Sequence, residues 1–353
     1  KNKDEENTII DSKNVLISSV DDRLSITRDE NNNIILKPNN IYISNYEIKV
    51  KISEEKEEKI INLELPFYRK ISNQDEWNSI SSIHNENVLL LDNIKINNSV
   101  ETNKKINNLL GNGFSIDGEL DIGRASLEDN LVYNILGTMQ DVTIKNLNIT
   151  KDDNTGVGVI KQNEGKILYS NFENIKITNS KNYTGIIAIN QGWIKLNPDN
   201  QNDNINLNKI MVSGTSYVGG LIGYNESDIS PVRISNIVAN DIIVEGITYV
   251  GGIISRSNYK STGIKVSNST ITGKEYVGGI IGYGTVTDSS ISNSKIYASG
   301  NYVGGVGGCS TNAGQHENIN VNKLQIIDNS IDESKVPVYI GGIYGSGNYF
   351  NYC

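Results

Sequence analysis

Apolar residues come in short bursts along nearly the whole chain. Runs such as Val88-Leu-Leu-Leu91, Ile94-Lys-Ile96, Leu131–Leu136 and Val142-Thr-Ile-Lys-Asn-Leu-Asn-Ile149 are broken every few residues by glycine or asparagine. Bursts this short, rich in isoleucine and valine, predict strands, because β-branched side chains fit a pleated surface. One segment departs from the pattern. Gln74-Asp-Glu-Trp-Asn-Ser-Ile80 predicts a helical turn or two with Trp77 and Ile80 on its apolar side, placed as a lid over the first coil.

From about residue 155 the bursts become a repeat. Tyr217-Val-Gly-Gly-Leu-Ile-Gly-Tyr-Asn225 returns as Tyr249-Val-Gly-Gly-Ile-Ile-Ser255, Tyr276-Val-Gly-Gly-Ile-Ile-Gly-Tyr283, Tyr302-Val-Gly-Gly-Val-Gly-Gly308 and Tyr339-Ile-Gly-Gly-Ile-Tyr-Gly345. Looser copies stand at Asn154-Thr-Gly and Tyr183-Thr-Gly. The spacing of roughly 26 to 37 residues is that of a solenoid, whose units bury a core only against their neighbours. The expected framework is Tyr217, Gly219, Gly220, Tyr249, Gly251, Gly252, Tyr276, Gly278, Gly279, Tyr302, Gly304 and Gly305, with glycine pairs at sharp bends or close backbone approaches. A second beat, an apolar residue, a spacer and asparagine, recurs at Asn146, Asn174, Asn236, Asn268 and Asn293, with Asn208 assigned to the matching place. Such asparagines predict an amide ladder along one corner. Short strands, tight bends and this period give an all-β chain with a right-handed parallel β-helix.

Residues 1–66 differ. The segments near Val15, Leu24, Ile34, Tyr46–Ile52 and Ile60 read as antiparallel strands separated by asparagine-rich turns, and predict a small β-sandwich of immunoglobulin-like or cadherin-like kind. The division expected is therefore a sandwich over 1–66, a linker with a capping helix over 67–80, and the β-helix over 81–353. The β-helix is expected to be truncated at its C-terminus and followed by further domains of a parent chain.

Asparagine makes up roughly one residue in seven, and the net charge is −9. That charge argues against nucleic-acid binding, which needs a basic face. No apolar run is long enough for a membrane span, so no direct membrane insertion is expected. Cys309 and Cys353 are the two cysteines and form no disulfide framework.

The search for chemistry finds no catalytic residues, no metal site and no cofactor. His84 and His316 do not belong to a zinc motif. Cys309 occupies the repeat position of Tyr224 and Tyr283, which reads as a packing substitution. Asp152, Asp153, Asp199, Asp203 and Asp228, with Arg233 and Arg256, are the groups a polysaccharide-cleaving β-helix would draw on. Residues 197–204 read as a polar loop, with calcium binding the alternative. Aromatics are the stronger binding signal: Trp193, Tyr224, Tyr259 and Tyr283, with Tyr297 and Tyr344, suit a surface for glycan or protein.

The Tyr-Val-Gly-Gly-Leu-Ile-Gly phrase resembles the GLUG motif of large exported bacterial proteins. Gly111-Asn-Gly-Phe-Ser-Ile-Asp-Gly118 resembles the turn that precedes such repeats, and Val142-Thr-Ile-Lys-Asn-Leu-Asn-Ile149 resembles the strand that usually follows it. The resemblance spans about residues 71–353. It implies a secreted or cell-surface protein of a bacterium, Gram-positive by expectation. It also implies either the non-catalytic N-terminal region of an immunoglobulin A-specific zinc metallopeptidase or an adhesin. Its expected partner is a host glycoprotein or glycan.

Overall fold

A computed structural model describes residues 15–19, 24–31, 33–38, 45–52, 58–64, 67–121, 123–195, 204–226, 234–310, 317–329 and 339–346. The chain divides into two compact units, Lys1–Arg69 and Lys70–Cys353.

In the first unit, β1 (Val15–Ser19), β4 (Asn45–Ile52) and β5 (Glu58–Glu64) form an antiparallel sheet with β4 in the middle. β2 (Leu24–Arg28) and β3 (Ile34–Pro38) form a hairpin. Asp29 shapes its turn by accepting hydrogen bonds from the backbone of Asn31 and Asn33. Alternation gives each sheet one apolar face, and Ile17, Leu24, Ile26, Leu36, Ile48 and Val50 share one small core with Phe67.

The second unit is a parallel β-solenoid of about seven turns, with almost no helix. Among the described residues its one helix, Gln74–Asn78, is capped by the Asn73 side chain, which accepts from the Glu76 amide. Trp77 is fully buried in the solenoid core and donates its indole N–H to the Glu101 carbonyl. Beside it the ammonium of Lys104, also fully buried, donates to the carbonyls of Asn78 and Ile80 and to the Glu101 carboxylate.

Each regular coil runs along four short parallel faces and, at the tyrosine turn, a fifth short parallel ladder through Asn182–Thr184, Ser216–Gly219, Thr248–Gly251, Glu275–Gly278, Val303–Gly304 and Ile340–Gly341. The first is formed by Val132–Ile135, Ile160–Asn163, Ile187–Asn190 and Ile222–Asn225, continued by Ile254, Ile281 and Gly307. The second holds Thr138–Gln140, Lys166–Leu168 and Trp193–Lys195. The third aligns Ile144, Phe172, Leu207, Ala239, Val266, Ile291 and Val321. The fourth aligns Ile149, Ile177, Val212, Val244, Ile271, Ile296 and Ile326. Inward residues are isoleucine, valine and leucine almost throughout, and nearly all are fully buried.

Three lines of left-handed residues turn the chain between faces. Asp141, Asn236, Gly263, Asp288 and Asn318 lie between the second and third faces, with φ from 48° to 67°. Asn146, Asn174, Lys209, Asp241, Asn268, Asn293 and Lys323 separate the third and fourth, with φ from 49° to 58°. Tyr183, Tyr217, Tyr249, Tyr276 and Tyr302, with φ from 54° to 61°, open the return to the first face. Asparagine and aspartate tolerate this conformation; at tyrosine and lysine it costs about 1 kcal/mol or more.

The asparagine beat is therefore two corners rather than one. Asn146, Asn174, Asn268 and Asn293 hold the expected corner. Asn208 precedes it by one residue, with Lys209 at the bend, and Asn236 belongs to the other corner. The amide ladder is correspondingly staggered: Asn174 donates to Asn146 at 2.6 Å, Asn240 to Asn208 at 3.3 Å and Asn268 to Asn240 at 2.7 Å.

Candidate functional site

The three glycines of the repeat phrase serve three contacts. A Cβ at Gly219, Gly251, Gly278 or Gly304 would lie about 2 Å from the carbonyl oxygen three residues on, inside the same bend. At Gly220, Gly252, Gly279 or Gly305 it would lie 2.1–2.3 Å from the matching glycine carbonyl of the next coil. The third small residue, Gly223, Ser255, Gly282 or Gly308, lies beneath the folded-back tyrosine turn. Cβ atoms at Gly223 and Gly308 would sit 2.5–2.9 Å from tyrosine-turn backbone. Backbone packed on backbone thus brings each tyrosine down onto the first face.

The rings then stack. Tyr183, Tyr217, Tyr249, Tyr276, Tyr302 and Tyr339 form one column with centroid separations of 5.0, 4.9, 4.6, 4.7 and 5.0 Å. Each contact contributes about 0.5–1.5 kcal/mol beyond area burial, enough to offset the strained φ at each tyrosine. Beside the column runs a second row, Ile189, Tyr224, Arg256, Tyr283 and Cys309, one residue per coil. Tyr224 meets the Tyr217 ring edge-on at 5.3 Å, and Tyr283 meets Tyr249 and Tyr276 edge-on at 6.1 Å. Between them, the Arg256 guanidinium carbon lies 6.0, 5.5 and 5.3 Å from the ring centres of Tyr224, Tyr249 and Tyr283. Burial works against its charge, but a hydrogen bond to Tyr217 and the surrounding phenols outweigh that, and its pKa rises above the ordinary arginine value.

Of the four residues singled out for binding, the structure brings Tyr224 and Tyr283 together at this edge. Trp193 lies on the second face, paired with Lys166, and Tyr259 lies in an irregular stretch of the 254–267 strand. Tyr297 is on the fourth face. Tyr344 is not an exposed aromatic at all: it is 5% exposed, and its hydroxyl accepts from the Val286 amide. It stands where other coils carry an inward isoleucine, and its ring fills the room left by Gly307, where a Cβ would lie 2.1 Å away.

Sequence reasoning missed a second ladder, inside the core. The fully buried Asn163 donates to Asn190 at 2.7 Å, Asn190 donates to Asn225 at 2.7 Å, and Asn225 donates to Ser257 at 2.9 Å. The signal was present, since Asn190 and Asn225 each close their copy of the tyrosine-glycine phrase.

Other candidates are not assembled into a centre. Asp153 is paired with Lys151 at 3.4 Å and Lys161 at 3.6 Å. Burial raises its pKa, but hydrogen bonds from Thr155 and those two lysines prevail and hold the carboxyl at about 2. Asp152 accepts from the Ser180 amide in an exposed position. Burial pushes the Cys309 thiol up, away from the reactive thiolate form. Asp199, Asp203, Asp228, Arg233, His316, Cys353 and most of the 197–204 loop lie outside the described residues. Among the described residues no group of three or more His, Cys, Asp or Glu is placed to hold a metal ion, and no helix is long and apolar enough to cross a membrane. Comparison with protein families, curated proteins and solved structures finds no match to this chain.

The tyrosine column has a measurable titration. Burial raises the pKa of Tyr183, Tyr249 and Tyr276, and neighbouring phenols add to it, with Arg256 pulling Tyr183 and Tyr249 the other way. A raised folded-state pKa contributes stability that is complete below the unfolded value, about 10, and is lost as pH rises through the folded value. We expect a spectrophotometric titration to show some tyrosines ionising late, together with loss of β circular dichroism. Uniform ionisation near the free value, with the fold intact, would contradict the packed column.

Proposed function

We propose that this chain is a non-catalytic binding and spacer segment of a secreted or surface bacterial protein, and that the tyrosine edge is its binding face. The observation that carries this reading is the six-ring column flanked by Tyr224, Arg256 and Tyr283. Half-exposed aromatics around an arginine give contact area at low entropic cost and are typical of recognition surfaces. The partner on this reading is a host glycoprotein or glycan. No cofactor, nucleic acid or membrane insertion enters it. The coils wind right-handed, as parallel crossovers do, and the first unit closes as a small immunoglobulin-like β-sandwich.

The phrase resembling the GLUG motif supports the accessory N-terminal region of an immunoglobulin A-type zinc metallopeptidase, with an adhesin stalk as the second reading. A polysaccharide lyase or hydrolase is disfavoured by the geometry at Asp153, whose carboxylate is committed to lysines rather than paired with a second acid across an open cleft.

The test is capture of the 353-residue chain on immobilised host glycoproteins, immunoglobulin A among them, before and after enzymatic deglycosylation. We expect retention by wild type and its loss in the Tyr224→Ala/Tyr283→Ala variant. Equal retention of both proteins, or of neither, would count against the tyrosine edge as a binding face.

A further inference from the structure

One break in the repeat falls beside the tyrosine column, between two coils that keep the phrase. At matching register the first face carries Gly223-Tyr224-Asn225, then Ser255-Arg256-Ser257, then Gly282-Tyr283. Two of the three departures are absorbed by the fold. Ser255 fills the glycine position by donating its hydroxyl to the Gly223 carbonyl. Ser257 continues the buried ladder by accepting from Asn225. Arg256 is not required by either arrangement, since tyrosine fills that row one coil before and one coil after.

The guanidinium sits half-buried among aromatic rings. Among the described residues no carboxylate forms an ion pair with it, and its Nε–H is buried without a hydrogen-bond partner. A partly desolvated guanidinium offers a planar fork of donors that matches a carboxylate, and low local dielectric strengthens such a bond. The rings of Tyr224, Tyr249 and Tyr283 lie 5.3–6.0 Å from the guanidinium carbon, so an anion held there lies beside rings that each carry a hydroxyl.

We propose that Arg256 is a carboxylate-binding site for an acidic sugar residue, with the surrounding phenols hydrogen bonding the sugar's hydroxyls. The ligand class follows from two features. The chain carries a net charge of −9, which repels polyanions, so one local cation selects a single carboxylate among neutral hydroxyls. The column's ring faces are consumed in stacking at 4.6–5.0 Å, which leaves no free aromatic face within the column for an apolar peptide side chain. Sialic acids and uronic acids share this chemistry. The inference rests on the tyrosine edge being the binding face.

The experiment is calorimetric titration of the full chain with sialyllactose, a glucuronic-acid-terminated disaccharide and lactose. We expect at least one acidic sugar to bind, lactose to bind about tenfold or more weakly, and Arg256→Gln to lower acidic binding to the lactose level. Which acid binds better identifies the source. Arg256→Lys keeps the charge without the fork, so an intermediate affinity with an unchanged melting temperature is expected and guards against a folding defect in the glutamine variant. Equal binding of lactose and the acids, undiminished binding by Arg256→Gln, or no acidic binding would overturn the proposal. If acidic binding is absent while the Tyr224/Tyr283-dependent capture of glycoprotein persists, the carboxylate site alone is wrong.

Discussion

Replacing Gly252 by alanine disrupts the solenoid at its middle, at a cost of about 4 kcal/mol or more, far above an ordinary surface change. The added Cβ would sit 2.1 Å from the Gly279 carbonyl oxygen. That atom is backbone, directly after the parallel pairing of Thr248–Gly251 with Glu275–Gly278, and it cannot rotate away as a side chain would. The two coils must move apart, which opens the core between Ile253 and Ile280, both fully buried. Because each coil contacts only its neighbours, the loss divides the array rather than weakening it evenly. Urea denaturation followed by circular dichroism is expected to show a lower midpoint and a second transition. Gly342 provides the comparison. It is the same glycine of the phrase, but no described atom lies within 4 Å of its Cβ position, so Gly342→Ala is expected to change stability by less than about 1 kcal/mol. Equal melting of wild type and Gly252→Ala would sink this account of the glycine pair.

Asn190→Ala is expected to cost about 3 kcal/mol, because it removes the central rung of the buried ladder. Asn190 accepts from Asn163, and donates to Asn225 and to the Gly192 carbonyl. Truncation leaves those groups without partners in a region with no solvent access, and an unsatisfied buried polar group carries its full desolvation penalty. Asn206 donates to Asn171 at 2.8 Å in the same manner but at an exposed position, where water replaces the lost bond. Asn206→Ala should therefore change stability by no more than about 0.5 kcal/mol. If the two substitutions shift the thermal midpoint equally, burial is not what gives the inner ladder its strength.

The solenoid was legible because its contacts repeat. A residue that must pack against its own copy one coil away leaves the same letters in the sequence at each turn, as Tyr217, Tyr249 and Tyr276 do. The positions of the asparagines were less legible for a specific reason. Ile234-Ser-Asn236 and Ile144-Lys-Asn146 have the same local pattern, yet one turns the chain from the second face to the third and the other from the third to the fourth. Both bends need a single left-handed residue after an inward apolar one, so spacing alone does not separate them. Tyr344 was misplaced because the sequence does not reveal that Gly307, one coil earlier, leaves room for its ring. Arg256 entered the sequence reading only as a partner for carboxylates. Its location beside the column depends on the register between coils, which pairs Ile254 with Ile281 across an irregular strand.

The direction of the hydrogen bonds in the second unit has a mechanical consequence. Neighbouring coils are joined by backbone bonds that run along the stacking direction, such as Ile187 to Leu221, Leu221 to Ile253 and Ile253 to Ile280, each 2.7–3.0 Å long. Tension applied along that direction loads one seam between coils at a time, as in a zipper, instead of shearing many bonds together. The array would then yield coil by coil, paying out chain in steps of one repeat. A protein held at its ends by larger structures would in this way extend under load while its remaining coils, and the tyrosine rungs on them, stay formed.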